Sequence, residues 1–271
     1  MDRAILSLMT LFLAGCVSAP QATEHEDAAE RGDLDLGLRW VRDAAEYEAL
    51  ARQAYRAATL ALPAKIADPT WSALPYQQGA EDLPPAVILD VDETAVSNIR
   101  FQVTLEPPFE DRKLNEWSDA NIAEPVPGAP AFVEYAVASG VQVFFVTNRP
   151  CEIIEGIDDS CPQKPVVISE LIEAGFPANK QNVFLSGERD GWGKEKQSRR
   201  DWVAQYYRVV MLFGDDLGDF IPCTRRRAVA PCTTNATADS RRAMTRMFAD
   251  YWGDGWYVLP NPMHGSWTSF R

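Results

Sequence analysis

The sequence predicts an α/β fold, a parallel β-sheet with helices on both faces. Three observations lead to it. Short apolar runs bounded by turn signals recur along the chain, as buried parallel strands do. Helical stretches separate these runs, and strand–helix alternation of this kind builds parallel sheets. The length, 271 residues, suffices for one large domain with additions.

From the N-terminus, Arg3 precedes an apolar run from Ala4 to Gly15, too short to cross a bilayer as a stable helix. Its end, Leu13-Ala14-Gly15-Cys16, resembles the lipobox of bacterial lipoproteins. Residues 1–15 are thus expected to be a signal peptide, with Cys16 lipidated. The alternative is a plain secretory signal in which Cys16 is incidental. Val17 stands where inner-membrane retention favours Asp, so the expected destination is the outer membrane, facing the periplasm or the cell surface. Residues 16–33, rich in Ala, Glu and Asp, read as a tether, and 34–271 as the folded domain.

Within that domain, Leu38, Val41, Ala45, Leu50, Ala54, Ala57 and Ala61 recur at helical spacing, predicting a helix over Leu34–Leu62 that Pro63 ends. The first strand is Ala86–Leu89, ending at Asp90. The second is Val141–Val146, ending at Thr147. A helix over Val166–Ala174, a strand over Asn182–Leu185 and a helix over Glu195–Tyr206 follow. A strand over Val209–Phe213 then runs into Gly214-Asp215, and a last one is expected at Trp256–Leu259.

Composition narrows the function classes. Acidic residues outnumber basic ones 39 to 26, for a net charge of −13. Nucleic-acid polymers and anionic membrane surfaces need a basic face, so membrane contact is expected through the lipid anchor only. A small phosphorylated substrate needs only a local positive site. The chain has two histidines, His25 and His264, which excludes a histidine-rich zinc site. Cys151, Cys161, Cys223 and Cys232 remain for an oxidising compartment, with three possible pairings, of which Cys151–Cys161 and Cys223–Cys232 is the simplest. On a loop-entropy view each bridge contributes about 2–3 kcal/mol. The Cys-x9-Cys and Cys-x8-Cys spacings are too wide for zinc knuckles.

The chemistry gathers at strand ends, where open parallel sheets bind ligands. Asp90-Val91-Asp92-Glu93-Thr94 puts two carboxylates one residue apart just past a strand. One can attack phosphorus while the other protonates the leaving oxygen and later activates water. Taken alone, an Asp-x-Asp is as often a turn or a calcium loop. Gly214-Asp215-Asp216-Leu217-Gly218-Asp219 adds carboxylates on a glycine-flanked loop, completing with Asp90 an all-oxygen site of the kind Mg2+ takes. Thr147 and neighbouring amides can hold phosphate oxygens, and Lys196, eighteen residues before Gly214, can add a positive charge.

These four segments resemble the motifs of the haloacid dehalogenase (HAD) superfamily: Asp90-Val-Asp-Glu-Thr, Thr147-Asn148-Arg149, Lys196, and Gly214-Asp215-x3-Asp219. More narrowly, the chain is similar to the class C acid phosphatases, the bacterial lipoprotein e 5′-nucleotidase family. That likeness rests on Glu46-Tyr47-x-Ala49-Leu50, Gln53-Ala54-Tyr55, Pro127-Gly128-Ala129, Lys196-x-x-Arg199-Arg200 and Leu259-Pro260-Asn261-Pro262-Met263-His264-Gly265-x-Trp267. It spans about residues 38 to 267.

The resemblance implies a HAD-like Rossmannoid core over 84–271, with a small, mainly helical cap from 34–80 and part of 100–127. It implies Asp90 as nucleophile and metal ligand, and Asp92 as acid/base that also coordinates through its backbone carbonyl. Thr147 and Lys196 would bind phosphate, with Asn148 and Arg149 beside them. Asp215 would complete the Mg2+ site, and Asp219 would support it through water. Trp117 stands where a base-gripping aromatic is expected, and His264 replaces the family's usual tyrosine. The implied activity is hydrolysis of phosphate monoesters, in particular nucleoside 5′-monophosphates, through an aspartyl-phosphate. Competing readings are dehalogenation, which has no need of Asp92, a general phosphatase without nucleotide preference, and a catalytically silent surface lipoprotein for adhesion or ligand binding. The oligomeric state is left open.

Overall fold

The computed structural model describes residues 35–120 and 123–270. The expected signal peptide, Cys16 and the tether lie outside the described residues. Among those described, no helix is long and apolar enough to cross a membrane.

In chain order, α1 (Leu36–Asp43) and α2 (Ala45–Ala67) precede β1 (Pro85–Leu89). Next come β2 (Val96–Ser97), α3 (Ile99–Gln102), α4 (Asp111–Ala120) and β3 (Glu124–Pro125). Then follow α5 (Ala129–Ala138), β4 (Gln142–Pro150), α6 (Lys164–Glu173), β5 (Val183–Ser186) and α7 (Gln197–Ala204). The chain closes with β6 (Arg208–Gly214), α8 (Ala238–Met247) and β7 (Trp256–Val258).

Five strands form one parallel sheet in the order β5-β4-β1-β6-β7, as the alternating pattern predicts. β1 is central, and its Leu89 pairs with Phe145 on one side and Phe213 on the other. The chain winds outward from β1 in both directions, so the ends of β1, β4 and β6 border the switch point where such sheets bind ligands. Side chains alternate between two cores. Val87, Leu89, Val143, Phe145, Met211 and Phe213 face one side, and Ala86, Ile88, Phe144, Val146 and Leu212 face the other.

The helix expected over Leu34–Leu62 is two helices, broken at Ala44, whose backbone is extended (φ −85°, ψ 127°). α2 also passes through Pro63 instead of ending before it. Pro63 removes one helical hydrogen bond close to the C-terminal end. The exposed carbonyls beyond it are recovered by the buried Arg208 guanidinium, which donates to Lys65 O, Ile66 O and Asp68 O at 2.9, 2.9 and 2.7 Å. The buried stripe of α2 is Tyr47, Ala51, Tyr55, Ala58 and Leu62, while Leu50 is 44% exposed. Aliphatic periodicity misses this because two of the inward residues are tyrosines. Tyr55 stacks on Phe213 with ring centroids 5.3 Å apart and donates its hydroxyl to Thr94 O at 2.8 Å.

That stripe belongs to the same core as Leu89 and Phe213. Residues 45–67 therefore form a layer packed on the sheet. The wall over the strand ends comes from the segment between β2 and β3, which pair antiparallel and carry α3 and α4 between them. Both disulfides take the simplest pairing, Cys151–Cys161 and Cys223–Cys232.

Candidate active site

Asp90 follows β1 directly, and its N–H donates to Phe213 O on β6 at 3.0 Å, so the sheet ladder continues into the site. The chain then curls back. Ala95 N and Val96 N both donate to Val91 O, and Glu93 takes a left-handed φ of 58°. This turn leaves Asp90 and Asp92 facing one cavity of about 450 Å³, which Asn148, Lys196, Asp215, Asp219 and His264 also line.

Lys196 and the two arginines after it join three strand ends. Lys196 Nζ donates to Asp90 Oδ1 and to Asp219 Oδ1, the latter at 2.6 Å. Arg199, fully buried, donates to Thr147 O and, at 2.8 Å, to Asn148 Oδ1, which fixes the end of β4. Arg200 donates to Gly218 O and Asp219 O at 3.1 and 2.7 Å, which fixes the loop after β6. That loop sits tightly on its strand. A Cβ on Gly214 would meet the Asp219 carboxylate at 2.3 Å, so only glycine fits there.

Asp92 is held differently. Its Oδ1 accepts from Asn98 Nδ2 at 2.6 Å and from Arg149 Nη2 at 2.7 Å, and its Oδ2 from Thr147 Oγ1 at 3.2 Å. Burial alone raises its pKa, but the charge and hydrogen bonds of Arg149, with the bond from Asn98, prevail and hold it below the usual 3.8. Arg149 in turn pairs with the buried Glu170 of α6 at 2.6 Å. It borders a neighbouring recess and not this cavity, and its guanidinium is committed to Asp92 and Glu170, so it positions Asp92. Thr147 is likewise fully buried with its hydroxyl on Asp92. Of the expected phosphate-side residues from β4, Asn148 is the one that lines the cavity.

Asp90, Asp215 and Asp219 bring carboxylate oxygens within 4.8 Å of one another. Burial, and then Asp219 and Asp90, push Asp215 well above 3.8. Burial first, against the pull of Lys196, raises Asp90 to about 7. One lysine does not offset three carboxylates, and the donor set is all hard oxygen, so the residues fit a divalent cation. Asp219, expected to support the metal site through water, stands within this cluster.

Adding a divalent cation to metal-free protein is therefore expected to raise Tm, and more at pH 7.5 than at pH 4.5. With the Asp90 carboxyl raised from 3.8 to about 7 on folding, the metal-free folded state holds more protons than the unfolded one between those values. Its stability thus falls as pH rises through that window. A cation displaces those protons, so it binds better where they are already lost. At a hundredfold excess over Kd the gain is about 2.7 kcal/mol. Scanning calorimetry at the two pH values checks this, and a Tm blind to the cation at both would remove the site.

Residues 35–267 match the family described as HAD superfamily, subfamily IIIB (acid phosphatase). The chain belongs to that family. It is a phosphomonoesterase on the HAD scaffold, whose phosphatases use a divalent metal. Among solved structures, the class C acid phosphatase from Bacillus anthracis is 26% identical, with a TM-score of 0.66 over 86% of this chain and 85% of the other. The same enzyme with tungstate bound gives 26% identity and a TM-score of 0.67 over 86% and 85%.

Beside the catalytic cavity the phosphatase has a second recess of about 480 Å³, lined by Leu105, Phe109, Leu114, Lys194 and His264 among others. Phe109 and His264 line both spaces. Trp117, expected to grip the ligand, instead packs half-buried against the core and lies 5.8 Å from the Phe101 ring. The exposed aromatic is Phe109, on the loop before α4. His264 Nε2 lies 3.5 Å from Glu93 Oε1. Burial lowers the pKa of His264, but the bond to Glu93 and the surrounding carboxylates together raise it.

The C-terminal loop is tied to the loop after β6. Asn261 Nδ2 donates to Asp215 Oδ2 at 2.7 Å, and Asp216 accepts from Ser266 N and Oγ at 2.6 and 2.8 Å. Of these supporting residues, sequence reading missed the roles of Glu93, Glu170 and Asn261. Asn261 stood inside a quoted motif, so its signal was present. Glu170 gave none, because an acid on a helix is ordinarily a solvated residue.

Proposed function

We propose that this phosphatase hydrolyses nucleoside 5′-monophosphates through an aspartyl-phosphate on Asp90, with Mg2+ as its cation. One observation carries the reading: the cavity holding Asp90 and Asp92 opens into a recess walled by Leu105, Phe109 and Leu114, apolar surface that a bare phosphate does not need. Tungstate, bound by the Bacillus anthracis relative, is a tetrahedral oxyanion like phosphate, in keeping with such a pocket. Mg2+ suits a site of carboxylates with water completing an octahedron.

In the first step an Asp90 oxygen bonds to phosphorus, the ester P–O bond breaks, and Asp92 gives its proton to the departing oxygen. In the second, water attacks phosphorus while Asp92 takes a water proton, releasing inorganic phosphate and restoring Asp90. Lys196 and Asn148 hold phosphate oxygens during both. The bound cation supplies positive charge that lets the anionic nucleophile approach an anionic ester.

The test is Phe109→Ala. Stacking of a base on an aromatic contributes about 1–3 kcal/mol. We expect kcat/KM for a nucleoside monophosphate to fall roughly tenfold or more, while glycerol phosphate, which has no ring, is unaffected. A parallel change for both would reduce the assignment to a phosphatase without nucleotide preference. Trp117→Ala should instead lower Tm and leave the ratio of the two substrates alone.

The N-terminal lipobox-like segment supports anchoring at the outer membrane through Cys16. We expect the full-length chain to partition into detergent and Cys16→Ser to be soluble with unchanged specific activity. Mass spectrometry finding an unmodified N-terminus at another cleavage point would end this proposal.

A further inference from the structure

We propose a second anion-binding site beside the catalytic one, which makes phosphomonoesters carrying a second phosphate the preferred substrates. It rests on the phosphomonoesterase reading and not on the nucleoside preference. The segment Arg225-Arg226-Arg227 lies in the loop closed by Cys223–Cys232 and lines a cleft of about 530 Å³ with Val229, Ser266 and Ser269. Arg225 and Ser266 line both this cleft and the catalytic cavity, so the two spaces adjoin.

Of three consecutive arginines in a chain of net charge −13, only Arg225 meets a carboxylate among the described residues. Glu195 lies 3.5 Å from Arg225 Nε and also accepts from Cys223 N at 3.1 Å. Asp216 is occupied by Ser266 and by Gly218 N at 2.9 Å. Arg226 spends one nitrogen on Ser269 O at 2.6 Å, and Arg227 has no hydrogen bond or ion pair among the described residues. Both side chains are exposed.

The loop is also held in place, as a binding site needs. Besides the disulfide, Ala228 N donates to Asn235 Oδ1 at 2.9 Å and Ala236 N to Arg225 O at 3.0 Å. Behind it, Arg241 donates to Thr224 O and Ser266 Oγ at 2.7 and 2.8 Å. A planar guanidinium pair suits phosphate oxygens. Because Arg225 and Ser266 line both spaces, a phosphate over Asp90 would leave a second one on the same small molecule facing this cleft.

The experiment compares two substrate pairs on the full chain: a nucleoside 5′-monophosphate with its 3′,5′-bisphosphate, and fructose 6-phosphate with fructose 1,6-bisphosphate. We expect kcat/KM to favour each bisphosphate by about five- to tenfold, mostly through KM, a gain between that of an exposed ion pair and a buried charged hydrogen bond. Arg226→Gln with Arg227→Gln should abolish that preference and leave both monophosphates unchanged, and high salt should weaken it in the wild type. Preference in the sugar pair with poor use of both nucleotides would uphold the anion site and sink the nucleoside reading. Bisphosphates no better than monophosphates in both pairs, or a variant that loses mono- and bisphosphates equally, would overturn the site.

Discussion

Asp90→Asn is expected to lower kcat by roughly 10⁴-fold or more, because it removes the nucleophile while keeping the shape of the side chain. The fold should survive. The backbone bond from Asp90 N to Phe213 O does not involve the side chain, and Lys196 keeps its ion pair with Asp219. Burial and the nearby Asp219 and Asp92 raise Asp90 to about 7, so its ionised form burdens the metal-free protein above that pH. Asparagine carries no such charge. The metal-free variant should therefore be at least as stable as wild type at pH 8, with the difference shrinking as pH falls towards 4. Single-turnover assays and thermal melts check both halves. A variant that keeps a few per cent of wild-type turnover would contradict the covalent role, and one that cannot fold would contradict the stability argument.

Asp92→Asn should be nearly as damaging, but unevenly. General acid–base assistance contributes about 10²–10⁴-fold. A nucleoside or alkyl ester, whose oxygen leaves poorly without a proton, should lose most of that. A nitrophenyl ester, whose oxygen leaves as a stable anion, should lose much less in the first step. pH enters with a definite sign. Arg149 and Asn98 overcome the effect of burial and hold Asp92 ionised in the free enzyme, so its proton-carrying form becomes scarcer as pH rises. kcat/KM for poor leaving groups should fall towards neutral pH more steeply than for nitrophenyl phosphate. Equal losses on both ester types would make Asp92 a structural residue.

Much of this site was legible from local pattern. Asp90, Thr147 and Asp215 each follow an apolar run, and a run buried on both faces declares itself as a strand without help from the rest of the chain. In a parallel sheet the carboxyl ends lie together, so residues 90, 147 and 215 had to converge once β1, β4 and β6 were neighbours. The break at Ala44 and the two tyrosines of α2 were harder to read. An amphipathic helix is phased by what packs against it, and tyrosine can face either way.

What tertiary structure alone decided lies one contact further out. Whether Phe109 or Trp117 faces the ligand depends on how the segment between β2 and β3 settles over the strand ends. Packing Trp117 against the core left Phe109, 49% exposed, at the cavity. Arg149 became a clamp on Asp92 because Glu170, on a helix twenty-one residues later, supplies a buried counter-charge. Asn261 reaches Asp215 across forty-six residues of chain. Periodicity reports which way a side chain faces relative to its own backbone. The partner it meets is set by the packing of segments distant in sequence, so the sequence by itself named the strand-end chemistry and the folded chain chose the residues that orient it.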